Sequence, residues 1–210
     1  MNLKQDAIRV KTARRILLPL MFLTVLPAVS WAQTPDSSWE VIRAEGVLRA
    51  SALVDSVFVD RQLPAATVDG GDFAAYLMAR LGATHLPPDF NYRVAIDSTQ
   101  IRLGGKLSEL PPEAKRSLSQ LLSFFPADSR LEAQITLHGA GSQAIRFHLR
   151  AVSINGAGVP EMILQPVLTN IGRQYPALTA TGRDLYVQVP EGATMQLVDG
   201  GVRLNGPPAR

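Results

Sequence analysis

From Gln134 to Arg150 the chain alternates apolar and polar side chains across one glycine-rich break. Ile135 and Leu137 interleave with Gln134, Thr136 and His138. Gly139 to Ser142 makes a turn, after which Ile145, Phe147 and Leu149 interleave with Arg146, His148 and Arg150. Successive side chains of a strand point to opposite faces, so this pattern predicts one buried and one wet face. A parallel sheet covered on both sides would read instead as continuous apolar runs. The segment therefore dictates antiparallel strands with a cover on one side only. Beyond Leu149 the phase slips, because Val152 and Ile154 occupy the other parity. A bulge near Ala151 accounts for the slip and would bend the strand.

Other segments supply the cover. Phe73, Tyr76, Leu77, Arg80 and Leu81 recur at helical spacing, predicting a helix over Val68 to Gly82. Asp69 or Asp72 can cap its start, and Gly82 can close it in a left-handed conformation. Pro111-Pro112 opens a second helix, with Ala114, Leu118, Leu121, Leu122 and Phe125 as its apolar stripe and Lys115, Arg116, Ser119 and Gln120 facing away. Pro126 stops it. Pro160-Glu161 opens a third, with Ile163, Leu164, Val167, Leu168, Ile171 and Tyr175 in its stripe; Pro166 lies inside and should kink it or delay its start. Leu110-Pro111-Pro112-Glu113 and Val159-Pro160-Glu161 open the last two helices similarly, a faint internal repetition without a fixed period.

Further strands complete the pattern. Phe90, Tyr92, Val94 and Ile96 share one strand face, and Ile101 and Leu103 continue the alternation up to Gly104-Gly105. Val47 to Val59, rich in Val and Ala, predicts one or two strands. Leu185, Val187 and Val189 alternate with Tyr186 and Gln188. Met195 to Leu197 and Val202 to Leu204 form a closing meander around Gly200-Gly201. The expected class is α+β, with helices packed on one face of a long curved antiparallel sheet.

The first 32 residues stand outside this plan. Lys4, Arg9, Lys11, Arg14 and Arg15 form a basic region, and Ile16 to Val29 is apolar but broken by Pro19 and Pro27. Ser30-Trp31-Ala32 resembles a peptidase site before Gln33. A spanning helix needs about 20 apolar residues, so the reading is a cleavable export signal. Arg14-Arg15 is common in ordinary signals, which favours the general export route. No cysteine follows, so no lipid anchor is expected there. The resulting plan is a signal at 1–32, a leader at 33–46, one domain at 47–206 and a tail at 207–210. The protein is expected to be periplasmic or secreted.

Removing the signal changes the electrostatics. The whole chain has 21 basic and 18 acidic residues; the signal holds five of the former and only Asp6 of the latter. That leaves 16 basic and 17 acidic residues, so the basic balance belongs to the signal. Nothing then calls for nucleic acid as a partner. The chain contains no cysteine, which excludes disulfides, zinc thiolates and thiol nucleophiles.

Catalytic signatures are absent from the sequence: there is no Gly-x-Ser-x-Gly elbow, no His-Glu-x-x-His and no phosphate loop. Gly139-Ala140-Gly141-Ser142 reads as a hairpin turn. His138 and His148 fall on the polar faces of partner strands, where they could share a metal or serve a nucleophile; the plainer reading is solvent-facing strand residues. His85 lies in a Pro-rich loop. Asp69 and Asp72 beside Gly70-Gly71 read as a helix cap more simply than as a calcium loop. No cofactor and no catalysis are expected.

The order of elements then takes on a likeness. A helix ends at Gly82, a strand carries Ile101-Arg102-Leu103-Gly104-Gly105, and Val152-Ser153-Ile154-Asn155-Gly156 precedes Val159-Pro160-Glu161 at a helix start. Leu185-Tyr186-Val187 and a hairpin close the chain. Over roughly Val47 to Leu204 this resembles the LmeA-like secreted bacterial lipid-binding proteins and, more loosely, the tubular lipid-binding (TULIP-like) fold. The resemblance implies a long bent sheet wrapped around a helix, with acyl chains held between them. A lipid or other hydrophobic ligand is the expected partner, with transient membrane contact. It transfers no site residues. The expected lining comes from the stripes: Leu118, Leu121, Leu122 and Phe125 of the second helix, Ile163, Val167, Leu168 and Ile171 of the third, and Ile145, Phe147 and Leu149 of the sheet. Arg146 and Arg150 are candidates for headgroup contact, although alternation points them outward. Two rival readings are a fully packed structural or adaptor protein of the cell envelope and a hydrolase with an unrecognised site. The sequence sets no oligomeric state.

Overall fold

A computed structural model describes residues 39–82, 91–110, 115–116 and 119–208, apart from the side chains of Gln120 and Leu121. All belong to one compact unit, Thr34–Arg210. The expected export signal, Phe90, His85 and most of the second expected helix, including Leu118, lie outside the described residues.

The alternation that most constrained the sequence builds the centre of the larger sheet. Strands β1 (Glu40–Val41), β3 (Arg93–Ile96), β4 (Ile101–Lys106), β5 (Arg130–Gly139), β6 (Ala144–Ile154) and β7 (Ala157–Gly158) pair in the order β1-β3-β4-β5-β6-β7. Strand β8 (Asp184–Gln188) shares the free edge of β6 with β7, pairing with its first half. Every pairing is antiparallel. The bulge falls where the phase slips: Gln134 faces Ala151 but Ile135 faces Leu149, so Arg150 is the extra residue. The slip keeps Leu149 and Val152 on the same inner face. Strand β4 runs through Gly104-Gly105 instead of ending at them.

The expectation of one long curved sheet is corrected. The closing meander, β9 (Thr194–Val198) and β10 (Gly201–Asn205), pairs with β2 (Ala65–Asp69) in a separate three-stranded sheet. Val68, Met195, Val202 and Leu204 from this smaller sheet are buried in the same core as Phe147 and Val187 of the larger one.

A second correction concerns Val47 to Val59. It is helical throughout: α1 (Gly46–Val54) continues into a π-helical turn, Asp55–Val59. In that turn Asp60 N–H donates to the Asp55 carbonyl at 2.8 Å. Gly46, Ala50, Val54, Val57 and Phe58 are buried, a helical spacing that prevails over the strand preference of valine. Gly46 permits the crossing with the next helix, since a β-carbon there would lie 2.7 Å from Asp72 Oδ1.

Helix α2 (Gly70–Arg80) follows β2 directly. Its start is not capped by Asp69 or Asp72. Glu40 reaches across from β1, accepting the Gly71 N–H at Oε2 over 2.7 Å, while Asp72 pairs with Arg49. A carboxylate from elsewhere thus meets the positive end of the helix. At the other end Gly82 is left-handed, with φ +95°.

The second expected helix is described only in part: α3 (Ser119–Leu122) is short, and Lys115 and Arg116 are helical and exposed. Helix α4 (Glu161–Gln174) starts after Pro160. Pro166 lies inside it and does not delay its start. The described residues therefore form an α+β protein with three helices of nine residues or more and two antiparallel sheets.

Candidate functional site

Odd-numbered residues of β4 and β5 point to the inner, helix-covered face of the larger sheet. Phe73 of α2 seats there against Phe147, with ring centroids 5.9 Å apart. Leu164 and Leu168 of α4 pack against Val152 in a separate small cluster. The two helices thus cover different parts of one face.

A cavity of about 280 Å³ is bounded by both helices and the sheet. Helix α2 supplies Phe73, Ala74, Leu77, Met78 and Leu81. The sheet supplies Ile96, Ile101, Leu103, Ala133, Ile135 and the side chains of Phe147, Leu149 and Leu185. Helix α4 and the chain after it contribute Leu168, Ile171, Leu178, Gly182 and Arg183. Small residues help to leave this volume open: Ala74 on α2 and Ala133 on β5 stand where larger side chains would fill it. The space is partly open to solvent, and its almost wholly apolar walls offer few of the polar partners that an ordered water needs.

Among the described residues Arg183 is the one charged member of the lining, and its guanidinium is committed elsewhere. It pairs with the Glu161 carboxylate, donates from Nε to Gln165 Oε1 at 3.3 Å and from Nη1 to the Leu149 carbonyl at 3.3 Å. These bonds tie α4 to the bulged strand. Gly182, at φ +71°, lies so close to Leu168 that a β-carbon would collide with the helix backbone, and Gly172 meets Thr179 in the same way.

The residues expected to line a ligand space separate into groups. Phe147, Leu149, Leu168 and Ile171 line the cavity. Ile145 and Val167 are buried but do not line it, and Ile163 is 39 % exposed. Leu122 and Phe125 pack on the main core. Leu118 and the side chain of Leu121 are outside the described residues. Sequence reasoning placed Phe73, Leu77 and Leu81 on a helical stripe without assigning them to the lining. The stripe was the available signal; which sheet face it met was not.

His138 and His148 lie on the outer face. His138 stands opposite Arg146, and His148 opposite Thr136. His138 Nε2 and Thr136 Oγ1 are 3.0 Å apart, whereas His148 Nδ1 is 2.8 Å from Asp184 Oδ1. Arg146 Nε approaches the same carboxylate at 3.8 Å. The sequence alone did not bring Asp184 to this face, because β8 is 36 residues from His148. Among the described residues no three His, Asp or Glu side chains gather as a metal set.

The chain matches no protein-family model, no curated protein and no solved structure.

Proposed function

We propose that this protein binds lipid or another hydrophobic ligand, without catalysis, after export to the periplasm or beyond. The observation that carries the reading is the apolar cavity of about 280 Å³ between α2, α4 and the sheet. Pockets for small ligands are concave, mostly apolar and placed between packed elements. Burying acyl carbons from water yields about 0.8 kcal/mol per CH₂. A chain taken from a membrane is already dry, so exchange would be near balance, as suits a carrier that must release its cargo. Exposed Met162, at the start of α4, is where transient membrane contact would fall. Kinship with LmeA-like proteins, and a tubular arrangement of sheet around helix, belong to this proposal; helix and sheet walls on one apolar space support it.

The test is mass spectrometry of organic extracts from purified protein, with Ala133→Phe alongside. Wild type should carry acyl chains. The variant should lose them while its melting temperature stays nearly constant, because the new ring occupies the cavity. The alternative, a packed structural or adaptor protein of the envelope, draws on Leu48 and Val59, exposed at 76 % and 68 %. It requires empty extracts and a variant destabilised by about 1–3 kcal/mol through overpacking.

A further inference from the structure

The opposite face of the same sheet is built differently. Across β3, β4 and β5, Arg93, Gly104 and Glu132 stand in one row, with the Lys106–Arg130 pair beside it. Because Gly104 has no side chain, the row is open at its centre. The Trp39 ring lies against that opening: a β-carbon on Gly104 would be 3.1 Å from Cη2. The guanidinium of Arg102 sits over the indole, 5.2 Å from its centroid. Apart from Arg102, these residues line a groove of about 420 Å³ together with Asn91 and Glu109.

The charges in this groove are unbalanced. Lys106 and Arg130 are direct cross-strand partners, an arrangement that repels. Among the described residues, neither they nor Arg93 forms an ion pair. Glu109 is partly engaged, accepting the Lys106 N–H at 3.1 Å. The backbone here is also held from below, where the buried Tyr92 hydroxyl donates to the Lys106 carbonyl at 3.1 Å. Burial pushes that phenol well above its usual range, so it remains a donor at ordinary pH.

We propose that this groove binds an acidic carbohydrate, a sugar ring bearing a carboxylate or phosphate. Trp39 lines the groove, and the indole face not taken by Arg102 offers a flat apolar surface on which a ring can lie. Lys106, Arg130 and Arg93 take the anionic group, for which guanidinium groups are geometrically suited. Glu132 and Asn91 accept and donate to hydroxyls. A bare inorganic anion would leave the indole and Glu132 unused. This site is independent of the apolar cavity, from which the sheet itself separates it.

The full chain can be titrated calorimetrically with glucuronic acid, glucose 6-phosphate, glucose, inorganic phosphate and AMP. Saturable binding of glucuronic acid or glucose 6-phosphate is expected, and which of them binds identifies the anionic group. Glucose and phosphate should each bind at least about tenfold more weakly, the scale of one lost charge-assisted hydrogen bond. Trp39→Ala and Arg130→Gln should each weaken the acidic sugar by about tenfold, while Trp39→Phe retains most of the affinity and checks that the strand edge is intact. The proposal is overturned if no acidic sugar binds wild type, if phosphate binds as well as glucose 6-phosphate and Trp39→Ala changes nothing, or if AMP binds more tightly than both acidic sugars.

Discussion

Helices α2 and α4 bound the same cavity but are held in different ways. In α2, Phe73 and Ala75 are fully buried and belong to the main core, and the helix start is fixed by Glu40. In α4 the buried Leu164 and Leu168 share only a small cluster with Val152, while Met162 is 82 % exposed. Helix α4 is also held by buried Val167, by the Arg183 network and by the close approach of Gly172 and Gly182 to their neighbours. One wall of the cavity is therefore core, and the other is attached by local contacts. Regions with few buried apolar contacts open at lower free energy than the core, so ligand entry would be expected on the α4 side.

The contrast breaks first at Phe73. Phe73→Ala should cost about 3–5 kcal/mol, because the ring is wholly buried against Phe147. Denaturant unfolding should show the loss as one global transition. If only part of the molecule loosened, α2 would be no more central than α4.

An intermediate and local effect is expected at Gly182→Ala. The position combines a left-handed φ of +71° with contact on the Leu168 backbone. The left-handed conformation alone costs about 1–3 kcal/mol, and the collision is relieved by displacing α4 locally. Amide hydrogen exchange should speed up along α4 and the turn at Thr179–Gly182 that follows it, while the amides of α2 keep their protection. Equal acceleration in both helices would erase the distinction.

Glu161→Gln should have the smallest effect. Glu161 pairs with Arg183, but its side chain is 65 % exposed. Exposed pairs contribute about 0.2–1 kcal/mol and weaken with salt. The melting temperature should fall slightly at low salt, and the gap from wild type should close in high salt. A larger, salt-independent loss would make this pair the main fastening of α4.

Periodicity was the legible part of the fold. Residues 134–150 and 185–189 alternate because a half-covered antiparallel strand requires it, and the bulge at Arg150 showed as a change of parity. The helices at Gly70–Arg80 and Glu161–Gln174 showed as stripes with usable ends. Val47 to Val59 reads as strands because of its valines and alanines, although Ala50, Val54 and Phe58 carry the four-residue spacing of the helix it forms. Glu40 as the cap of α2 was invisible, since it is 31 residues from Gly71.

By itself the sequence determined which side chains must be hidden, and in which local geometry, because backbone periods of 2 and 3.6 sort residues onto faces before any long-range contact forms. Four of the residues it placed on apolar stripes, Phe147, Leu149, Leu168 and Ile171, border the cavity. Only the tertiary structure decided that β9 and β10 join β2, that Asp184 meets His148, and that Ala74 and Ala133 look onto the same space. Those outcomes depend on strand partners and on volumes left between elements. Neither is a property of one segment: a stripe tells a helix to bury a face, but the shape of the opposing surface decides whether that face closes against it or leaves a cavity.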